Sequence, residues 1–184
     1  IDGASAGVML AGRGDALGPV LMDMLGVEYS IINSSMTPAG DFPRVAEPLP
    51  MYIGDLCRAV VETGSDIGFA YDPDGDRLAL VDETGRAPGE EYTVALAVDH
   101  VLAHRKSPVV VNMSTSGLAG ICASRHGAVL SRSPVGEVNV VEEMEATGAS
   151  IGGEGNGCVI DRECHPGRDS AVAAAYAVSL LRER

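Results

Sequence analysis

The stretch Asp72-Pro73-Asp74-Gly75-Asp76-Arg77 places three carboxylates at alternate positions of a short turn. Such groups repel one another unless a cation lies between them, and carboxylate oxygens are the ligands that Mg2+ takes together with phosphate oxygens of a substrate. Apolar runs at 66–71 and 78–82 flank the turn, and both are rich in strand-forming residues. The sequence therefore predicts a Mg2+ site between two strands, and it points to phosphate chemistry.

Three alternatives compete with the magnesium interpretation of this turn. An EF-hand loop that starts at Asp72 would need glycine at its sixth position, where Arg77 stands, and helices on both sides. A phosphatase with Asp72 as nucleophile would also place an Asp-x-Asp pair after a strand, and it remains open. The third alternative is a solvated acidic turn without an ion, which the strand context and the charge of Arg77 disfavour.

Three motifs together give the chain a resemblance to the alpha-D-phosphohexomutases. The turn at 72–77 is similar to their D-G-D-G-D-R metal loop, with Pro73 in place of the first glycine. Residues 131–136 (Ser-Arg-Ser-Pro-Val-Gly) resemble their R-T-x-V-G turn, and residues 153–157 (Gly-Glu-Gly-Asn-Gly) resemble their sugar-binding G-E-x-S-G-H loop. The order and spacing of the motifs match as well, and the likeness covers the middle two of the family's four domains.

The resemblance implies two consecutive mixed, mostly parallel α/β/α sandwich domains, a metal-binding domain over residues 1–86 and a sugar-binding domain over 87–184. The alternation of strands and helices also predicts a mostly parallel sheet, whose ligands gather beyond the carboxyl ends of the strands. Residues 33–50 are rich in proline and are predicted to be an irregular loop. The periodicity predicts helices over 15–25, 51–63, 90–104, 117–126, 136–147 and 169–182, and strands over 29–32, 66–71, 78–82, 109–112, 128–131 and 150–152. Gly64 is predicted to end the second of these helices, and Asp169 is predicted to be the N-cap of the last.

The resemblance also implies the roles of individual residues. Arg77 would be the catalytic cation beside the transferring phosphoryl group. The metal ligands would be Asp72, Asp74 and Asp76, and the substrate-binding residues would be Arg132, Gly136, Gly153, Glu154, Gly155 and Asn156.

Side-chain chemistry agrees with a sugar site in the glycine-rich stretch at 153–157. Glu154 can accept hydrogen bonds from two sugar hydroxyls, and Asn156 can both donate and accept. A glycine-rich hairpin is an equally good interpretation without the family, because glycine and asparagine are the usual turn residues. Cys158 stands where many members have histidine, which leaves one of their ligand contacts in question here.

The implied activity is the interconversion of hexose or hexosamine 6-phosphate and 1-phosphate through a phosphoserine and a bisphosphate. Glu137 and the Met113-Ser114 pair lean toward the glucosamine-handling branch, with phosphomannomutase and phosphoglucomutase as the nearest alternatives. No serine loop like T-A-S-H-N-P and no phosphate loop like R-x-S-G-T-E-P occurs in the chain. We therefore expect a central piece of a longer enzyme, inactive without its N- and C-terminal domains. The other hypothesis is a non-catalytic module that binds Mg2+ and a sugar phosphate.

Composition limits the remaining possibilities. The net charge of −13 arises from 26 acidic and 13 basic residues, so a nucleic acid would be repelled. No apolar run approaches the roughly 20 residues of a membrane span, and the four cysteines form no C-x-x-C pair, which favours free thiols in the cytoplasm. The four histidines are expected in surface or capping roles: His100, His104, His126 and His165.

Overall fold

Two compact units, Ile1–Gly89 and Glu90–Arg184, make up the chain. A computed structural model describes residues 17–33 and 43–183, with the side chain of Leu17 left out. The first two residues of the helix predicted over 15–25, and the part of the proline-rich loop at 34–42, lie outside the described residues. Among the described residues, no helix is long and apolar enough to cross a membrane.

The first unit contains two described helices and a β-hairpin: α1 (Leu17–Leu25), α2 (Gly54–Thr63), β1 (Ile67–Tyr71) and β2 (Leu78–Asp82). Helix α2 ends where Gly64 adopts a left-handed conformation and its N–H returns to the carbonyls of the last turn, as the sequence predicts. Strands β1 and β2 pair antiparallel, from Ile67 opposite Asp82 to Tyr71 opposite Leu78. The acidic turn is therefore the loop of this hairpin. The hairpin and α2 share a buried cluster of Ile53, Leu56, Val60, Ala70, Ala79 and Val81.

The prediction of a strand over Tyr29–Ile32 is wrong. Of the four residues in this segment, all of them described, only Ile32 is part of a β-bridge, and that bridge is isolated. The side chains of Tyr29 and Ile31 are 37% and 41% exposed. The segment is largely apolar, but within the described residues it has neither an adjoining ladder nor a buried face, so it does not form a strand.

The second unit is a five-stranded mixed sheet with four helices. Its strands are ordered β4-β3-β5-β6-β7, with β3 parallel to β4 and β5, and with antiparallel pairs β5–β6 and β6–β7. The elements in chain order are α3 (Glu91–His104), β3 (Val109–Asn112), α4 (Leu118–Arg125), β4 (Leu130–Ser133), α5 (Glu137–Thr147), β5 (Ile151–Glu154), β6 (Cys158–Asp161), β7 (His165–Arg168) and α6 (Ser170–Arg182).

Packing and capping fix the helices of the second unit. Helix α5 lies on the sheet, where Val140 and Met144 join a cluster with Val110, Ala149 and Ile160. Helix α3 packs against α4, α6 and strand β5. The Asp169 carboxylate accepts hydrogen bonds from the first backbone amides of α6, which confirms its predicted role as N-cap.

Four strands of the second unit differ from the sequence prediction, two in their bounds and two because they were not predicted. Strand β4 begins at Leu130 rather than Ala128, because the Ala128 N–H donates back to Ala123 O at the end of α4. Strand β5 runs on through Glu154, since its backbone pairs with strands on both sides. Strands β6 and β7 were not predicted, because one is a four-residue buried run and the other contains Pro166 and Gly167, which disfavour a strand.

The predicted α/β class with mixed sheets is confirmed, although the described sheets are less parallel than expected. Parallel pairing is confined to β3, β4 and β5, whose connections run through helices α4 and α5. The hairpins β1–β2, β5–β6 and β6–β7 have short loops, and strands joined by short loops can only pair antiparallel.

Candidate functional site

The acidic hairpin loop of the first unit is shaped by one of its own carboxylates. Asp72 follows β1 directly, and its Oδ1 accepts hydrogen bonds from Asp76 N and Arg77 N, both at 3.0 Å. Gly75 turns the chain with a φ of +75°, and its N–H donates to Asp72 O at 3.2 Å. The turn brings one oxygen from each of the Asp72, Asp74 and Asp76 carboxylates within 4.8 Å of one another.

The electrostatics of this loop favour a bound cation. Asp72 is 5% exposed, and its burial, followed by its contact with Asp76, raises the pKa of its carboxyl to about 8. Backbone N–H donation from Arg77 opposes this rise, whereas the negative charges of Asp76 and Asp74 add to it. A divalent cation would offset both the burial and the repulsion.

Arg77 lies along the acidic loop rather than away from it. Its Nε is 3.7 Å from Asp72 Oδ2 and 3.8 Å from Asp76 Oδ1, and its Nη1 donates to Glu47 Oε1 at 3.1 Å. The guanidinium therefore keeps positive charge beside the carboxylates, where an incoming phosphate would also meet it.

The donor set fits a small, hard divalent cation such as Mg2+. Mg2+ is bound by a few carboxylates while its other positions keep water or take phosphate oxygens. Asp74 is exposed and Asp76 is partly exposed, so the loop is open to solvent on that side. The nucleophile alternative for Asp72 is disfavoured, because its carboxylate is buried and one oxygen is engaged by two backbone amides.

Replacing Asp74 with asparagine is expected to weaken Mg2+ and Mn2+ binding by about tenfold or more, because one anionic ligand of three is lost while the turn is kept. Asp74 is exposed and the hydrogen bonds that shape the turn come from Asp72, so the fold should not change. Calorimetric titration measures the affinity. Asp55→Asn is the matched control, since it removes one exposed carboxylate of the same unit. Equal binding by wild type and Asp74→Asn would exclude the loop as the metal site.

The second candidate site lies at the carboxyl ends of β3, β4 and β5. Glu154, the last residue of β5, is 4% exposed. Its Oε1 accepts hydrogen bonds from Asn112 Nδ2 at 2.5 Å and from Gly136 N at 3.2 Å, and its Oε2 lies 3.7 Å from Arg168 Nη1. The structure thus joins the motif at 131–136 to the glycine-rich motif through one carboxylate.

The glycine-rich motif is a hairpin between β5 and β6, and Asn156 lies exposed in its turn. Gly155 N donates to Thr115 Oγ1 at 3.0 Å, which ties the turn to the loop after β3. Gly153 lies in β5, where an added Cβ would be 2.2 Å from Cys158 O. The motif is therefore a glycine-rich hairpin, as its composition allowed. The hairpin also places its backbone and the exposed Asn156 amide near the carboxyl ends of β3, β4 and β5.

The Arg132 side chain donates its hydrogen bonds to backbone carbonyls of the protein. Its Nη1 donates to Asn112 O at 3.0 Å and to Thr115 O at 2.7 Å, and its Nη2 donates to Ser116 O at 3.0 Å. The guanidinium holds the loop after β3 in place. Arg132 would therefore affect a bound ligand by positioning that loop.

Arg168 is a prominent residue of this edge that the sequence analysis missed. Its backbone N–H donates to Glu137 Oε1 at 2.8 Å and its Nε is 3.2 Å from Glu137 Oε2. Its Nη1 donates to Cys158 Sγ at 3.6 Å. One signal was available, since Arg168 is one of only 13 basic residues and directly precedes the cap of α6.

Asn112 and Glu91 were also missed. Asn112 Oδ1 accepts from the backbone and hydroxyl groups of Ser114 and Thr115 at 2.7 to 3.1 Å. The Glu91 carboxylate accepts from Ser116 N at 2.9 and 3.1 Å. These contacts fix the loop after β3, and they depend on residues distant in sequence.

The described residues form two α/β units, one with an acidic loop whose three carboxylates could hold a metal ion and one with polar side chains gathered at the carboxyl ends of β3, β4 and β5. Residues 8–85 match the family model described as phosphoglucomutase/phosphomannomutase, alpha/beta/alpha domain II, and residues 89–184 match that of domain III. The chain belongs to this phosphoglucomutase/phosphomannomutase family, within the alpha-D-phosphohexomutase superfamily, and corresponds to its two central domains.

Individual relatives agree with this assignment. A Methanopyrus kandleri protein named "Probable phosphoglucosamine mutase" is 36% identical over 90% of this chain and 36% of its own length. The Thermococcus kodakarensis "Phosphoglucomutase/phosphomannomutase" is 34% identical over 92% of this chain and 37% of its own. A crystal structure of a phosphoglucomutase/phosphomannomutase family protein from Burkholderia thailandensis has the same fold, with a TM-score of 0.76 and 21% identity over 96% of this chain and 37% of that one.

The chain thus spans little more than a third of the length of these relatives. The names of these relatives apply to whole proteins, whereas this chain matches only their two central domains.

Proposed function

We propose that the chain is the metal-binding and sugar-binding part of a phosphohexomutase, which interconverts a hexose or hexosamine 6-phosphate and the 1-phosphate through a phosphoserine and a bisphosphate. The hydrogen bond from Gly136 N to Glu154 Oε1 carries the proposal, because it unites two separate motifs at the edge of the sheet where ligands bind. The N- and C-terminal domains of a longer parent enzyme would supply the serine and the clamp for the second phosphate.

In the proposed metal-binding domain, over residues 1–86, Asp72, Asp74 and Asp76 would hold Mg2+. When bound, the ion would neutralise negative charge on a transferring phosphoryl group. Arg77 would add a second positive charge on the same loop, where its ion pairs with Asp72 and Asp76 already orient it. Asp72 would also hold the turn in shape through its two backbone contacts.

In the proposed sugar-binding domain, over residues 87–184, the hairpin between β5 and β6 would hold the sugar. The amide of Asn156 lies exposed in the turn, where it can both donate to and accept from sugar hydroxyls. Glu154 would offer Oε2, since its Oε1 is engaged by Asn112 and Gly136. Gly153 and Gly155 would keep the backbone close to the ligand.

Other residues of the second unit would set its charge and shape. Arg132 and Gly136 would position the surrounding loops, through the contacts of the Arg132 guanidinium and of the Gly136 N–H. Arg168 would supply positive charge for a phosphate at this edge.

A hexosamine phosphate is the favoured substrate, with mannose and glucose phosphates as alternatives. Glu137 supports this preference, because its carboxylate, which pairs with Arg168, would lie beside the proposed sugar site and could face a protonated amine. Two archaeal relatives, 36% and 34% identical, are named "Probable phosphoglucosamine mutase". None of the four cysteines, all of which lie within the described residues, forms a disulfide, and this supports a reducing compartment such as the cytoplasm.

The sugar site is tested by measuring how tightly the purified chain binds glucosamine 6-phosphate, mannose 6-phosphate and glucose 6-phosphate in the presence of Mg2+. Ligand-observed NMR measures these affinities. Asn156→Ala is expected to lower the affinity about fivefold to tenfold, because it removes a donor and an acceptor from an exposed turn without disturbing the fold.

Glu154→Gln should also weaken binding. Its matched control is Glu142→Gln, which makes the same change at an exposed position of α5. Affinities that are the same in wild type, Asn156→Ala and Glu154→Gln would rule out the hairpin as the sugar site.

A further inference from the structure

Two histidines of α3 and one glutamate beyond the end of α6 come together away from the sheet edge. His100 and His104 are four residues apart on α3, so their side chains lie on one face of the helix, with ring centroids 4.5 Å apart. Because α3 packs against α6, Glu183 is brought to the same place. One ligand atom from each of the three residues lies within 4.8 Å of the others.

The distances suit a shared metal ion. His104 Nε2 is 3.3 Å from Glu183 Oε1, and His100 Nδ1 is 3.8 Å from Glu183 Oε2. Ligands that lie about 2.0–2.2 Å from a tetrahedral Zn2+ are separated by about 3.3–3.6 Å. The described geometry therefore needs only small side-chain movements to close around an ion.

The hydrogen bonding of His104 leaves the correct nitrogen for a metal. Its Nδ1 is 2.8 Å from His100 O, and a carbonyl can only accept, so Nδ1 must carry the hydrogen. The lone pair is then on Nε2, the atom that faces Glu183. A histidine whose other nitrogen donates to a backbone carbonyl is the usual arrangement of a metal ligand.

His100 is held in place and faces the same point. Its side chain is 11% exposed and its ring packs on Tyr176, with a centroid distance of 4.9 Å. Tyr176 is fixed in turn because its hydroxyl donates to the buried Asp161 carboxylate. Among the described residues the buried Nδ1 of His100 has no hydrogen-bond partner, whereas buried polar atoms of this kind ordinarily have one.

We propose that His100, His104 and Glu183 form a binding site for a divalent transition metal of the zinc type, with a fourth position open to water. Two imidazoles and one carboxylate are a set that binds Zn2+, whereas Mg2+ prefers oxygen ligands alone. The site joins α3 to the end of α6, within the second unit, and is independent of the acidic loop and of the proposed mutase role.

The experiment titrates the purified chain with Zn2+ against a chromophoric chelator, and with Co2+ by visible absorption, in excess Mg2+ so that the acidic loop is filled. We expect one site with the intense visible bands of tetrahedral Co2+ and no thiolate-to-cobalt charge-transfer band. His104→Ala and Glu183→Gln should each weaken Zn2+ binding at least tenfold to a hundredfold. Both side chains are about half exposed, so neither change should unfold the chain.

His126→Ala is the matched control. His126 Nε2 pairs with Asp99 Oδ1 at 2.9 Å in the same unit, but this pair has no second imidazole beside it. The control should bind Zn2+ like the wild type. The proposal is overturned if His104→Ala and Glu183→Gln bind Zn2+ as tightly as the wild type, or if His126→Ala or Asp74→Asn abolishes binding instead.

Discussion

The purified chain is expected to show no turnover of glucosamine 6-phosphate, mannose 6-phosphate or glucose 6-phosphate, even with Mg2+ and a trace of the 1,6-bisphosphate. The reason lies in the division of labour among its residues. Asp72, Asp74, Asp76 and Arg77 can stabilise a transferring phosphoryl group, but none of them is placed to carry it covalently through the proposed cycle. Losing a nucleophile costs on the order of a million-fold in kcat. The missing phosphate clamp would cost further orientation of the substrate.

A coupled assay for each 1-phosphate product measures this, with the longer parent protein as the positive control. Asp74→Asn distinguishes turnover by the chain from contamination, because a contaminating mutase would be unaffected by the substitution. Turnover that disappears in Asp74→Asn would show that this chain suffices for catalysis, and the need for further domains would be refuted. A non-catalytic module that binds a sugar phosphate would also show binding without turnover. The two hypotheses differ in the longer parent protein, because only a part of a phosphohexomutase predicts mutase activity there and its loss in Asp74→Asn.

Gly153→Ala is expected to lower the free energy of unfolding of the second unit by about 3 kcal/mol. An added Cβ would lie 2.2 Å from the backbone oxygen of Cys158 and 3.0 Å from Val94 Cγ2. The obstructing oxygen belongs to the partner strand β6, so relief requires the β5–β6 pair to separate rather than a side chain to rotate. Chemical denaturation followed by circular dichroism measures the change.

Gly117→Ala is the control for this prediction. Gly117 precedes α4 with a φ of −76°, and an added Cβ would meet nothing within 4 Å. Its stability should equal that of the wild type or exceed it slightly, because alanine restricts the unfolded chain more than glycine does. A Gly153→Ala variant as stable as Gly117→Ala would mean that the β5–β6 spacing described here is wrong.

The acidic loop could be predicted from sequence because its parts are local. Alternate aspartates in a turn between two apolar runs allow few arrangements, and the structure brings the three carboxylates together as a metal site would require. The helix ends at Gly64 and Asp169 were predictable for the same reason, since a cap involves neighbours in the chain.

The polar edge of the second unit was only partly predictable. Glu154 could be singled out, but its contacts with Asn112 and Gly136 join residues 42 and 18 positions apart. Arg132 was assigned to the substrate, whereas its guanidinium donates to three backbone carbonyls. Arg168 is marked in the sequence only by its positive charge and by its place directly before the cap of α6, and its contacts with Glu137 and Glu154 depend on the packing.

The sequence by itself determined the family, the mixed α/β class, most helices and the acidic loop, because these depend on periodicity, caps and short motifs. Only the tertiary structure decided that β3 lies between β4 and β5, that Glu154 is buried beside Asn112 and Gly136, and that Glu183 meets His100 and His104. The physical reason is that strand order, burial and hydrogen-bond partners depend on which distant segments pack together. A side chain such as Arg132 binds whichever acceptors that packing places within its reach.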